Sequence, residues 1–138
     1  MRTVLCHGVF DLLHYGHIHH FQEAREFGDR LVVSVVADEF LTKTKRPMIN
    51  DEVDRLAHVA ALRSVDDVIL CQAPGPEGII ASLKPDVYVR GADYIGRRMP
   101  ESDLLEQLGI AVRYTPSSFP RTTDRIEQIV AAWRAFNK

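Results

Sequence analysis

Five short apolar runs punctuate the chain: TVLC (3 to 6), RLVVSVVA (30 to 37), DDVILC (66 to 71), PDVYVR (85 to 90) and IAVRYT (110 to 115). They are rich in Val and Ile and mostly do not alternate apolar with polar, the pattern of strands covered on both faces. Between them, apolar residues recur at helical spacing. Ile18, Phe21 and Ala24 step along one face until Gly28 stops the helix. Val53, Leu56, Ala57 and Ala60 follow Asn50, which reads as an N-cap with Asp51 and Glu52 in the favourable first turn. Ile126, Ile129, Val130, Trp133 and Phe136 form a third stripe. Parallel neighbours need crossovers, so this alternation predicts an α/β fold: one doubly wound parallel sheet of about five strands with helices on both faces. QAPGPEG (72 to 78) reads as a loop within a single domain spanning residues 1 to 138.

Composition narrows the chemistry. With 138 residues, 46% of them hydrophobic and 26% charged, the chain is long enough for one core and too short for two. A formal net charge of -2 argues against a general grip on nucleic acid, so any anion site must be local. Cys6 and Cys71 lie in apolar runs and read as small buried hydrophobes rather than a disulfide or metal pair, which fits a reducing cytoplasm. In MRTVLCHGVFDLLHYGH, polar residues interrupt the apolar segment before secretory length, and nothing later reaches membrane-spanning length.

The stretch HGVFDLLHYGHIHH (7 to 20) holds five of the six histidines, where the first strand turns into a helix. In an open parallel sheet, ligands sit beyond the carboxyl ends of the strands, and the first turn is a common phosphate site. Gly8 permits close backbone approach, and Gly16 lies near a helix start whose amides and dipole attract anions. Residues three apart share a face, so His14 and His17 can point at one object and donate hydrogen bonds to phosphoryl oxygens. The H-x-x-H spacing also admits a divalent metal such as zinc, although no nearby carboxylate or cysteine completes a ligand set. His19 and His20 read as surface or packing residues.

These residues resemble a known family, the small cytidylyltransferase-like nucleotidyltransferases. GVFDLLHYGH matches the signature G-x-F-D-x-x-H-x-G-H through Gly8, Phe10, Asp11, His14, Gly16 and His17. The first half, up to Arg63, is similar to glycerol-3-phosphate cytidylyltransferases, and PDVYVRGADY to heptose-phosphate adenylyltransferases. The resemblance implies a Rossmann-like fold and transfer of CMP or AMP from a nucleoside triphosphate to a small phosphorylated or phosphonate acceptor, with release of pyrophosphate. It further implies Mg²⁺ bridging nucleotide phosphates and a cytoplasmic homodimer. His14 and His17 would stabilise charge on the transferring phosphorus. Val9 and Phe10 would give backbone contacts near the phosphates, and Arg90, Gly91, Ala92 and Asp93 would lie beside base and ribose. Lys43, Lys45 and Arg46 form either a solvated loop or, by the resemblance, a clamp on the triphosphate or acceptor. Arg55 and Arg63 match family arginines that bind the acceptor or support a dimer, and one of them could instead be a surface ion-pair partner.

One departure stands near the end. Where the family carries an R-T-x-G-I-S-T-T type segment, this chain has YTPSSFPRTTDRI (114 to 126). Thr122 and Thr123 match the hydroxyl pair, Ser117 replaces the leading Arg, Pro120 the glycine, and Arg121 offers charge from a new position. The first half leans to CTP over ATP. Two other classes stay open: a nucleotide-binding regulatory module without turnover, and a metal-dependent hydrolase built on the histidines.

Overall fold

The computed structural model describes residues 1–41, 48–116 and 122–138. All five apolar runs are strands of one parallel sheet: β1 (Thr3–Gly8), β2 (Arg30–Val36), β3 (Asp67–Cys71), β4 (Val87–Gly91) and β5 (Ala111–Thr115). Their order across the sheet is β3-β2-β1-β4-β5. From β1 the chain winds outward to one side through β2 and β3, then returns past β1 to add β4 and β5. The direction therefore reverses between β1 and β4, which opens a crevice at their carboxyl ends. β1 pairs with β2 from Thr3↔Arg30 to Gly8↔Val35, and with β4 at Val4↔Val87 and Leu5↔Tyr88.

Both faces of the sheet are buried, as the non-alternating runs predict. Val4, Cys6, Val33, Val35 and Val89 pack against Phe21 and Ala24 of α1 (Tyr15–Arg25) and Val59 of α2 (Glu52–Ala60). On the other face, Leu5, Val32 and Tyr88 pack against Ile80 of α3 (Glu77–Leu83) and Leu105 of α4 (Ser102–Gln107). Each fully buried aliphatic or aromatic side chain contributes about 1.5–3 kcal/mol relative to exposure. Cys6 and Cys71 are both buried and free.

α1 ends at Arg25 with Glu26 as its C-cap, three residues before Gly28, whose lack of a side chain instead lets the chain pass close to β1: a Cβ there would sit 2.6 Å from the Arg2 carbonyl oxygen. The cap of α2 lies one residue later than the sequence suggests: Asp51 accepts from Asp54 N at 2.9 Å, and Asn50 is engaged elsewhere. The last helix, α5 (Thr122–Phe136), carries the expected stripe, yet Ile129, Val130, Trp133 and Phe136 are exposed. Among the described residues no helix is long and apolar enough to cross a membrane.

Candidate active site

The turn after β1 is built by packing and by one buried carboxylate. Phe10 adopts φ +54°, an unfavourable conformation for an aromatic residue, and folds its ring back over Gly8. A Cβ on Gly8 would come within 2.8 Å of that ring. The ring packs edge-on against His17 (centroids 5.8 Å) and Phe21 (5.0 Å), which joins the turn to α1. Asp11 is 2% exposed. Its oxygens accept from Asn50 N at 2.8 Å and Ile49 N at 3.1 Å, while Asn50 Nδ2 donates to the Asp11 carbonyl at 2.6 Å. This exchange explains why Asn50 is not the α2 cap.

His14 is the N-cap of α1, and it forms a reciprocal pair with His17. Gly16 N donates to His14 Nδ1 at 3.0 Å, and His14 N donates to His17 Nδ1 at 3.3 Å. The Gly16 amide, expected at the phosphates, is thus engaged in the cap. A backbone amide can only donate, so both Nδ1 atoms are acceptors and the proton of each neutral ring sits on Nε2. The rings lie 4.1 Å apart between centroids. Burial, then the neighbouring His14 and His20, push His17 down to about 4. Burial, then Arg125, lower His14 as well. At neutral pH the pair is uncharged and presents two Nε2–H donors at the start of a helix, beside the crevice. Arg125, in the opening turns of α5, shares with His14 a groove of about 520 Å³ that Leu12, Leu13 and Tyr15 also line.

Two histidines that sequence reasoning did not place in the site stand beside the crevice. His7 Nδ1 lies 2.6 Å from Ser34 Oγ, its register partner on β2, and burial followed by Arg90 lowers it to about 4. His20 Nδ1 lies 2.6 Å from Thr115 Oγ1 at the end of β5, and burial followed by Arg90 lowers it likewise to about 4. His20 therefore faces inward, whereas His19 turns outward to Glu23 at 3.3 Å. The spacing 14, 17, 20 carried that signal, because each step of three stays near one helix face.

Arg90, expected at the nucleotide, sits on the crevice floor. It donates to the His7 carbonyl at 3.0 Å and stacks over Tyr94 at 3.9 Å, and its buried Nε has no partner among the described residues. Tyr88 donates to buried Glu101 at 2.6 Å beneath it. Gly91, Ala92 and Asp93 form the turn after β4, with Gly91 in register with Thr115. A Cβ on Gly91 would approach Asp93 Oδ1 to 2.8 Å.

Arg55 departs from expectation. Its side chain is 0% exposed, and it donates to the carbonyls of Val36 (2.7 Å), Val9 (2.9 Å) and Asn50 (3.2 Å) and to Asp38 Oδ1 (2.7 Å). It ties the active-site turn to the ends of β2 and the start of α2, out of reach of an acceptor or a partner surface. The Val9 carbonyl, expected near the phosphates, serves this tie. Arg63 is exposed in the turn from α2 into β3, at the amino ends of the strands and so at the opposite end of the sheet from the crevice, and the fold does not bring it to His14 and His17. Thr123 is exposed on the first turn of α5. Lys43, Lys45, Arg46, Arg121 and the side chain of Thr122 lie outside the described residues. Among the described residues no group of three or more His, Cys, Asp or Glu could hold a metal ion.

The family model described as "Cytidylyltransferase-like" matches residues 5–132. The chain belongs to the cytidylyltransferase-like family. Two proteins, each named "Bifunctional protein HldE", are similar to it. That from Aliarcobacter butzleri is 35% identical over 130 residues, covering 92% of this chain and 27% of its own length. That from Streptomyces coelicolor is 42% identical over 110 residues, covering 78% and 24%. This cytidylyltransferase-like chain thus spans about a quarter of the length of the curated relatives it matches. The crystal structure of the lipopolysaccharide core biosynthesis protein from Thermoplasma volcanium GSS1 is also similar, at 35% identity and a TM-score of 0.71, covering 88% of this chain and 99% of that one.

Proposed function

We propose that the chain transfers a nucleoside monophosphate from a nucleoside triphosphate to a sugar phosphate, releasing pyrophosphate. The observation that carries this reading is the commitment of both Nδ1 atoms to backbone amides, which leaves two neutral Nε2–H donors side by side at a helix N-terminus. Such donors suit phosphoryl oxygens that gain charge as bonds to phosphorus change. An oxygen of the acceptor phosphate attacks the α-phosphorus. The new P–O bond forms as the bond to the bridging oxygen of the β-phosphate breaks, and that electron pair leaves with pyrophosphate. His14 and His17 keep their protons and stabilise the charge on the non-bridging oxygens. In this reading Lys43, Lys45, Arg46 and Arg121 supply further cations to the phosphates.

The choice of ATP and a sugar phosphate is supported by the similarity of PDVYVRGADY to heptose-phosphate adenylyltransferases and by the role named for the Thermoplasma volcanium relative. The lean of the first half toward CTP rests on a motif assigned to the phosphates, and that motif does not encode the choice of base. The described residues form no cage for Mg²⁺, so the ion enters the proposal only as a companion of the triphosphate. A homodimer and a cytoplasmic location belong to the same proposal. The test is pyrophosphate release with ATP and with CTP across a panel of sugar 1-phosphates, polyol phosphates and phosphonates. Nucleotide binding without release for every acceptor would favour a regulatory module and refute the reading.

A further inference from the structure

Beyond the His14 and His17 pair, α1 carries a third imidazole on the same side. Thr115, 2% exposed at the end of β5, holds His20 through Nδ1 at 2.6 Å. His20 Nε2 makes no hydrogen bond among the described residues and keeps some contact with solvent. Because Thr115 pairs with Gly91, the ring stands beside the Gly91–Asp93 turn, close enough for Arg90 and Asp93 to act on its charge.

The three rings differ in what they can bind. His14 and His17 are fixed as Nε2–H donors by their amide partners and suit anionic oxygen. The Thr115 hydroxyl can donate or accept, so His20 Nε2 can take either role. That adaptability matches a hydroxyl ligand, which is itself both donor and acceptor. The Asp93 carboxylate adds an obligate acceptor beside it, and an acceptor next to an adaptable imidazole is a hydrogen-bonding set for a vicinal diol. The order along α1 agrees: His20 is held to the end of β5, beside the turn after β4, whereas His14 and His17 stand at the opening of the helix. A nucleotide laid along this line would have its sugar at His20 and its reacting phosphorus between His17 and His14.

We infer that His20, set by Thr115, reads the ribose hydroxyls of the nucleoside triphosphate and makes the site selective for ribonucleotides over deoxyribonucleotides. The inference rests on the nucleotidyltransferase reading. Its test is calorimetric titration of ATP, CTP and their 2′-deoxy and 3′-deoxy forms into the wild type, His20→Phe and Thr115→Val. Phenylalanine keeps the ring that packs on Phe21 (centroids 5.5 Å) and removes both nitrogens. The wild type should bind the ribonucleotide about tenfold tighter than at least one deoxy form, the size of one good hydrogen bond. In His20→Phe the ribonucleotide should weaken to the level of the deoxy form that lacks the hydroxyl read by His20, while that deoxy form keeps its wild-type affinity. Thr115→Val, which frees the ring, should cut the discrimination to about threefold. Discrimination that is absent in the wild type, discrimination that survives undiminished against every deoxy form in His20→Phe, or a loss equal for all nucleotides overturns the assignment and leaves the nucleotidyltransferase reading intact. A wild type that binds none of these nucleotides brings down both.

Discussion

Replacing Arg55 with Met should unfold the protein far more readily without any direct effect on substrate contacts. The guanidinium is 0% exposed and serves three carbonyls and Asp38, and methionine fills most of the volume with none of the donors. Each carbonyl left buried and unpaired costs about 1–3 kcal/mol. Asp38 is 43% exposed, so water can recover its hydrogen bond and little is added for it. Entry of water beside the outermost carbonyl offsets part of the rest. A loss of about 4 kcal/mol is expected, within the range for breaking a buried charged pair from one side. For a domain of this size that lowers Tm by roughly 10–15 °C. Urea unfolding followed by circular dichroism measures the loss directly. Arg55→Lys should recover less than half, because one ammonium cannot span four acceptors. A loss below about 1 kcal/mol together with a tenfold rise in acceptor KM would refute the structural role and restore the acceptor role expected from sequence.

Single replacement of His14 or His17 by Ala should lower turnover by about 10²–10³ with a smaller change in nucleotide affinity, read by pyrophosphate release and by titration; equal loss of both would place the rings in binding alone. His7, His17 and His20 titrate near 4 in the fold against an unfolded value of 6.5, so the unfolded chain takes up protons first. Their contribution to stability is present above about pH 6.5 and is lost as pH falls toward 4, so the urea midpoint should drop between pH 7.5 and pH 5; an unchanged midpoint contradicts the burial of these rings. Gly8→Ala places a methyl against the Phe10 ring and should cut turnover by displacing that ring from His17, with a stability loss of about 1–3 kcal/mol. Arg125→Gln removes the cation that lowers His14, so the His14 imidazole resonance should titrate at higher pH by NMR.

The five strands were legible because burial on both faces writes itself into Val- and Ile-rich runs, and the crevice followed from the strand and helix alternation. Helices α3 and α4 did not announce themselves: with 7 and 6 residues they hold too few turns for an apolar period to stand out. His14 and His17 were legible through the turn they occupy. His20 shared their spacing and was passed over, because the neighbour that gives it meaning, Thr115, lies 95 residues away. Arg55 could not be read at all, since a charged side chain on a helix ordinarily faces water and only the converging carbonyls of three separate segments make burial tolerable. The stripe on α5 was correctly read as helical, but periodicity cannot say whether an apolar face meets its own core.

The capping role of His14 carries a consequence for how this protein can fail. The same two nitrogens that fasten the opening of α1 also decide where each ring keeps its proton. If the first turn frays, both imidazoles lose their fixed tautomers at that instant. Readiness to react and integrity of that turn are thus one variable, and a population of molecules under mild stress should divide into fully competent and inert members rather than slow uniformly.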